Sequence, residues 1–114
     1  MAHSPTKRAL AELKRLGFVA AITERWNFHA KVRQDMFGFA DLIYLTPANI
    51  VALQVTSGDH HAHRRVKILA EPLALAWIRA GGLIEVWSFS KKGKRGERKT
   101  WQCRKEEIVE EDFG

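Results

Sequence analysis

The sequence predicts an α/β domain in which helices flank a mixed sheet. Two observations carry this. The hydrophobic pattern alternates between helical and strand periods in the order α-β-β-β-α-β-β, with one long crossover helix between strands. The chain has 114 residues, 46% hydrophobic and 28% charged, an ordinary globular balance at the size of one domain. A chain of this length buries about two-thirds of its unfolded surface, so it needs no metal or disulfide to fold. Residues 1–114 read as a single domain, with 105–114 as an acidic C-terminal tail.

Each element has a local reason. Ser4-Pro5 pairs an N-cap with proline at the first helical position, and Ala9, Leu10, Leu13 and Leu16 follow at helical spacing. Gly17 stops this helix, which spans 4–16. Phe18 to Glu24 is rich in β-formers and reads as a strand. Trp26 to Phe37 mixes aromatics and charges around Val32 and reads as a turn with a short second strand. Asp41–Leu45 and Ile50–Thr56 are strands joined by the turn Thr46-Pro47-Ala48-Asn49, where proline presets φ. The first half of the second strand is apolar throughout, as a buried central strand requires.

Ser57-Gly58-Asp59 breaks that strand and offers a helix cap. A long helix is predicted over about 60–80, with Val66, Leu69, Leu73, Ala76 and Trp77 on one stripe and a kink at Pro72. Gly81-Gly82 ends it. Leu83–Phe89 is a strand, with Leu83, Glu85, Trp87 and Phe89 on one face and Ile84, Val86 and Ser88 on the other. A basic turn leads to a last strand near Lys99–Arg104, and Lys105 opens the polar tail.

Charge narrows the class of partner. Lys and Arg number 19 against 13 Asp and Glu, a net charge of +6, and the pI is near 9.8. Residues 106–114 hold five acids and no base, so residues 1–105 carry 19 bases and 8 acids, or +11. Lys91–Lys99 alone holds six bases and one acid. Such a surface either solubilises the domain or meets a polyanion, most often nucleic acid. Cys103 stands alone, which excludes a disulfide scaffold and fits a reducing cytoplasm. No apolar run approaches a membrane span, and the N-terminal residues lack the apolar core of a signal peptide. No nucleotide-binding glycine pattern is present.

The hairpin 41–56 concentrates the chemistry. Asp41 opens one strand, and Gln54 and Thr56, two apart on one face, close the next. A hairpin brings these ends together, so the three residues form a polar cluster at the mouth of an apolar hairpin, unless they simply mark strand ends.

The run Gly38-Phe39-Ala40-Asp41-Leu42-Ile43-Tyr44, a turn, then Ala52-Leu53-Gln54-Val55-Thr56-Ser57 resembles the PD-(D/E)XK nuclease superfamily, in its Holliday-junction-resolvase-like branch. That family has an α-β-β-β-α-β core, and this chain reproduces the order over about residues 4–90. The resemblance implies a restriction-endonuclease-like fold and a metal-dependent DNA endonuclease, structure-selective on branched DNA and acting as a homodimer. The family's signature is an aspartate opening one strand and an acid-x-lysine closing the next. Asp41 matches, whereas Ala40 replaces a common proline, Gln54 stands at the acid and Thr56 at the lysine.

By that resemblance Asp41 is the principal ligand of Mg2+ or Mn2+, Gln54 contributes a carbonyl oxygen, and Glu12 on the first helix adds a second carboxylate. Glu12 is otherwise a solvated helix residue, and Asp35 is a further candidate. Thr56 has no charge with which to activate water, and some members of the superfamily carry the lysine on the following helix. Lys67 or His63 there would take over that role, and Arg64 would hold the scissile phosphate. The same face is also what the wet side of an amphipathic helix looks like. His60-His61-x-His63 lacks the third clustered His or Cys of a zinc site. Cys103 reads as a packed residue, and Trp26 and Trp101 as packing or base-stacking aromatics.

Lys91, Lys92, Lys94 and Arg95 of the basic turn 91–99, with Lys7, Arg8, Arg33, Arg64 and Arg65, read as a phosphate-tracking surface, which would carry affinity without sequence readout. Two rivals remain. One is a nuclease fold that binds nucleic acid without cutting it, its lysine lost. The other is an interaction protein, such as a phage or mobile-element factor, that docks another protein through its basic turn.

Overall fold

Ser4 starts the first helix: its Oγ accepts a hydrogen bond from the backbone N–H of Lys7 at 3.3 Å, and Pro5 sets the first helical φ. In the computed structural model, which describes residues 4–114, this helix is α1, Pro5–Leu16. It ends in a Schellman pattern, with Gly17 at φ 83° and the N–H of Phe18 donating to the Leu13 carbonyl at 3.0 Å.

Seven strands follow or intervene: β1 (Val19–Ile22), β2 (Arg25–Asn27), β3 (Val32–Gln34), β4 (Leu42–Leu45), β5 (Ile50–Ser57), β6 (Leu83–Lys92) and β7 (Thr100–Ile108). The main sheet has the order β1-β4-β5-β6-β7, and β2 and β3 form a separate two-stranded hairpin. β5 and β6 run parallel, while the other neighbours in the main sheet are antiparallel. The protein is therefore α/β with a mixed five-stranded sheet, as the sequence predicts. Parallel pairing requires the crossover that the helices after β5 supply.

The sheet buries both faces. On one, Ala9 and Leu13 of α1 pack against Leu42, Leu53, Val55, Trp87 and Phe89. On the other, Ile68 and Ala74 pack against Ala52, Ile84, Val86 and Ile108. The alternation predicted along Leu83–Phe89 accounts for this division.

Two elements differ from the sequence prediction. The single kinked helix is two helices, α2 (His61–Leu69) and α3 (Pro72–Arg79), after a 3-10 turn at Gly58–His60. Glu71 is extended (φ −97°, ψ 112°) because the residue before a proline is barred from the α region, and its carboxylate caps Leu73 N–H at 3.3 Å. The break resets the helical phase. Val66 and Leu73, placed on the predicted core stripe, are 63% and 48% exposed, and Ile68 and Ala74 are buried instead.

The last strand also runs on to Ile108, so residues 105–108 are sheet rather than tail. Their charges hid the strand, but their partners are charged too. Glu106 lies opposite Val86, and its carboxylate accepts hydrogen bonds from His61 Nε2 at 2.8 Å and Arg65 Nε at 3.0 Å. Burial alone would raise the Glu106 carboxyl, but these two partners outweigh it and hold it below its usual value. Glu110–Phe113 closes the chain as a 3-10 turn. No helix among the described residues is long and apolar enough to cross a membrane.

Candidate metal and phosphate site

Asp41 sits where backbone pairing gathers three separate segments. Register places Leu42 opposite both Ile22 and Leu53, so the residues just beyond these pairs meet at Asp41. The Asp41 carbonyl accepts from the N–H of Thr23 at 2.9 Å and of Glu24 at 3.1 Å, and Thr23 Oγ1 donates to the Ala40 carbonyl at 2.8 Å. Glu24 is thereby pinned beside Asp41. Asp35 arrives differently. Met36 and Ala40 form an isolated antiparallel bridge that closes the loop between them, so Asp35 and Asp41 flank its neck. The closure needs left-handed backbone at Phe37 (φ 55°) and Gly38 (φ 81°). Glycine adopts this freely, whereas phenylalanine does so at a cost of about 1–3 kcal/mol, and such strain clusters at functional sites.

The result is a three-carboxylate group. Ligand oxygens of Glu24, Asp35 and Asp41 all lie within 4.8 Å of one another. Asp41 and Gln54 are buried, while Glu24 and Asp35 are partly exposed. One Asp41 oxygen, Oδ2, accepts from Gln54 Nε2 and from the Val55 N–H, each at 2.9 Å. Burial, then the hydrogen bond and charge of Asp35 and the charge of Glu24, pushes the Asp41 carboxyl up to about 8, with the Val55 N–H opposing. Cations ring the group: Arg33 Nη1 donates to Glu24 at 2.8 Å, and Lys67 Nζ to Asp35 at 3.2 Å.

A cavity of about 450 Å3 opens over these residues, with Gln54, Thr56, Arg64 and Lys67 in its wall. Among the described residues, two buried side-chain polar atoms have no hydrogen-bond partner, Gln54 Oε1 and Arg64 Nε. Both residues line this cavity. Gln54 Oε1 is an acceptor without a donor, and Arg64 Nε is a donor without an acceptor. Each carries a desolvation cost of about 1–3 kcal/mol that a ligand of opposite character would remove. The residues fit a hard cation: three carboxylates and one amide oxygen are the donors such an ion takes.

The structure thus brings together Asp41, Gln54, Thr56, Lys67 and Arg64 from the sequence reading, and Asp35 with them. Glu12 is placed elsewhere. It bonds Arg15 one helical turn on and lines a groove with Trp101 and Cys103, outside the three-carboxylate group. Glu24, not Glu12, is the acid that lies beside Asp41. The sequence did carry a signal for it: Glu24 ends the predicted strand 18–24, and antiparallel pairing with the Asp41 strand puts those two ends side by side.

Arg65 faces away from the cavity and is committed to Glu106 and Asp112 at 3.0 and 3.1 Å, so it is not free to track phosphate. His63 is exposed and outside the cavity wall, whereas His60 lines it. His61 is buried, with Nδ1 2.7 Å from Ser88 Oγ. Lys91, Lys92, Lys94 and Arg95 are exposed where the β6–β7 hairpin extends past the end of β5, the same end at which Thr56 and Asp41 sit.

Compared with protein-family models, with curated proteins and with solved structures, the chain gives no match.

Proposed function

We propose that the protein is a metal-dependent DNA endonuclease of the PD-(D/E)XK type. The observation that carries this is the pair of orphaned atoms in one acid-lined cavity: Gln54 Oε1 wants a cation, and Arg64 Nε wants an anion. A metal ion together with a phosphodiester satisfies both. Glu24, Asp35, Asp41 and Gln54 hold the ion, which is Mg2+ or Mn2+ by the hardness of its oxygen ligands. When bound, the ion lowers the pKa of a water and stabilises charge on the phosphoryl oxygens.

The protein's own residues do the rest. Arg64 donates from Nε to a phosphate oxygen and fixes the scissile group. Lys67, steadied by Asp35, supplies the cationic donor that Thr56 cannot, and orients the attacking water. The exposed bases of the β6–β7 hairpin hold the flanking phosphates. The order α1-β1-β4-β5-α2/α3-β6, with β2–β3 as an insertion, supports the restriction-endonuclease-like core. One domain with one such cavity cuts one strand, so cutting branched DNA on both strands takes a homodimer.

The test is cleavage of plasmid and a synthetic four-way junction in Mg2+ or Mn2+. Wild type is expected to cut, Asp41→Ala to lose all activity, and Lys67→Ala to lose about 10²–10⁴-fold while keeping DNA affinity. Cleavage that survives in Asp41→Ala overturns the site. Thr56 at the usual lysine position favours one second reading, a nuclease fold that binds DNA without cutting. Its signature is salt-sensitive binding of the junction by wild type with no cleavage in either metal.

A further inference from the structure

We propose that the groove between α1 and the β6–β7 hairpin binds an unpaired strand of nucleic acid, stacking a base against Trp101 while Lys7 and Arg8 hold its phosphates. The groove, about 490 Å3, lies on the α1 face of the sheet, next to the sheet end at which the metal cavity opens. Its floor is Phe89, Trp101 and Cys103. Burial pushes the Cys103 thiol up to about 11, so the floor is uncharged near neutrality.

Three features select the ligand. First, Trp101 is 48% exposed even with Arg8 over its ring, so part of the indole is open to solvent. Second, the Arg8 guanidinium already lies over that ring, 3.6 Å from its centroid. Aromatic rings and guanidinium planes are both surfaces on which proteins stack bases. Third, the rim is cationic. Lys7 and Arg8 stand on one side, Lys91 pairs with Trp101 across the hairpin, and Glu12 is neutralised by Arg15. An apolar aromatic floor within a basic rim matches a base with its phosphate. Bases within a duplex have their faces covered by neighbours, so the indole can meet only an unpaired one.

Position ties the groove to the metal cavity. Pro5 and Thr6 line the cavity, while Lys7 and Arg8 line the groove, so the first turn of α1 is their common wall. A single strand leaving the cavity crosses that turn and enters the groove. The inference rests on the nuclease reading for DNA as the polymer and adds which part of a branched substrate is held.

The experiment titrates a short labelled oligo-dT, an equal-length duplex and oligo-rU in EDTA, where the metal centre contributes nothing. Trp101→Leu is expected to weaken oligo-dT binding about tenfold and leave duplex binding within about twofold. Trp101→Phe, which keeps an aromatic face, retains most of the affinity. Arg8→Gln, which removes the half-buried guanidinium over Trp101 and keeps the indole, weakens oligo-dT and flattens its salt dependence. Equal oligo-dT binding by Trp101→Leu and wild type overturns the inference, as does an equal loss on oligo-dT and duplex. Tighter binding of oligo-rU overturns DNA as the strand held. Trp101-dependent binding in a protein that cuts nothing keeps the groove and removes the nuclease. Asp41-dependent cutting with Trp101-independent binding does the reverse.

Discussion

Asp41 shows what burial and crowding do to one side chain. Its carboxyl is held near 8 by burial and by two neighbouring acids, so without a cation it is mostly neutral at pH 7. Its folded pKa lies above the ordinary 3.8, so the folded protein binds the proton more tightly than the unfolded chain does. The resulting stability is fully present below about pH 4 and is lost as pH rises to about 8. In EDTA, the Tm of wild type is expected to fall between pH 5 and pH 8 by several degrees more than that of Asp41→Asn, which lacks this proton. Equal slopes in a thermal melt would contradict the assignment. A cation needs the ionised carboxylate, so Mn2+ is expected to raise the wild-type Tm more at pH 8 than at pH 6. Asp41 itself was legible from sequence as the polar opening of an apolar hairpin. Its pKa was not, because Glu24 and Asp35 reach it only through other segments.

At the scale of elements, caps and breakers were the most legible signals. Ser4, Pro5 and Gly17 bound α1 within one residue of the predicted 4–16, because capping depends on immediate neighbours. Pro72 was seen, but as a kink. Its effect on Glu71 split the helix and moved the buried face from Val66 and Leu73 to Ile68 and Ala74. Urea unfolding separates these positions. Leu13→Ala, at a fully buried site, is expected to cost about 2–5 kcal/mol. Val66→Ala, at a 63% exposed site, stays within about 0.5 kcal/mol. A cost above 2 kcal/mol at Val66 would restore the single helix. The extension of β7 was hidden for another reason: Glu106 and its charged neighbours look like a tail until β6, His61 and Arg65 are placed beside them.

At the scale of the whole molecule, charge and topology act together. The parallel β5–β6 pair puts the end of β5, the Asp41 cavity and the basic β6–β7 hairpin at one end of the sheet. Phosphate contacts release counterions, with a slope near −0.9 per contact on duplex DNA. Replacing Lys91, Lys92, Lys94 and Arg95 with Gln is therefore expected to flatten the log Kd against log salt plot by about 3 to 4. Arg65→Gln, whose guanidinium is spent on Glu106 and Asp112, leaves that slope unchanged and lowers stability instead. The reverse pattern, measured by anisotropy across a salt series, would place the DNA on the other face. The sequence by itself determined the α/β class, the caps of α1, the Asp41 hairpin and the basic turn, because each rests on local periodicity, turn chemistry or charge density. Only the tertiary structure decided that Glu24 rather than Glu12 joins Asp41, that a closed loop delivers Asp35, and that Lys67 reaches it from α2. These positions follow from strand register and loop closure between distant segments, and no local pattern encodes which ends meet.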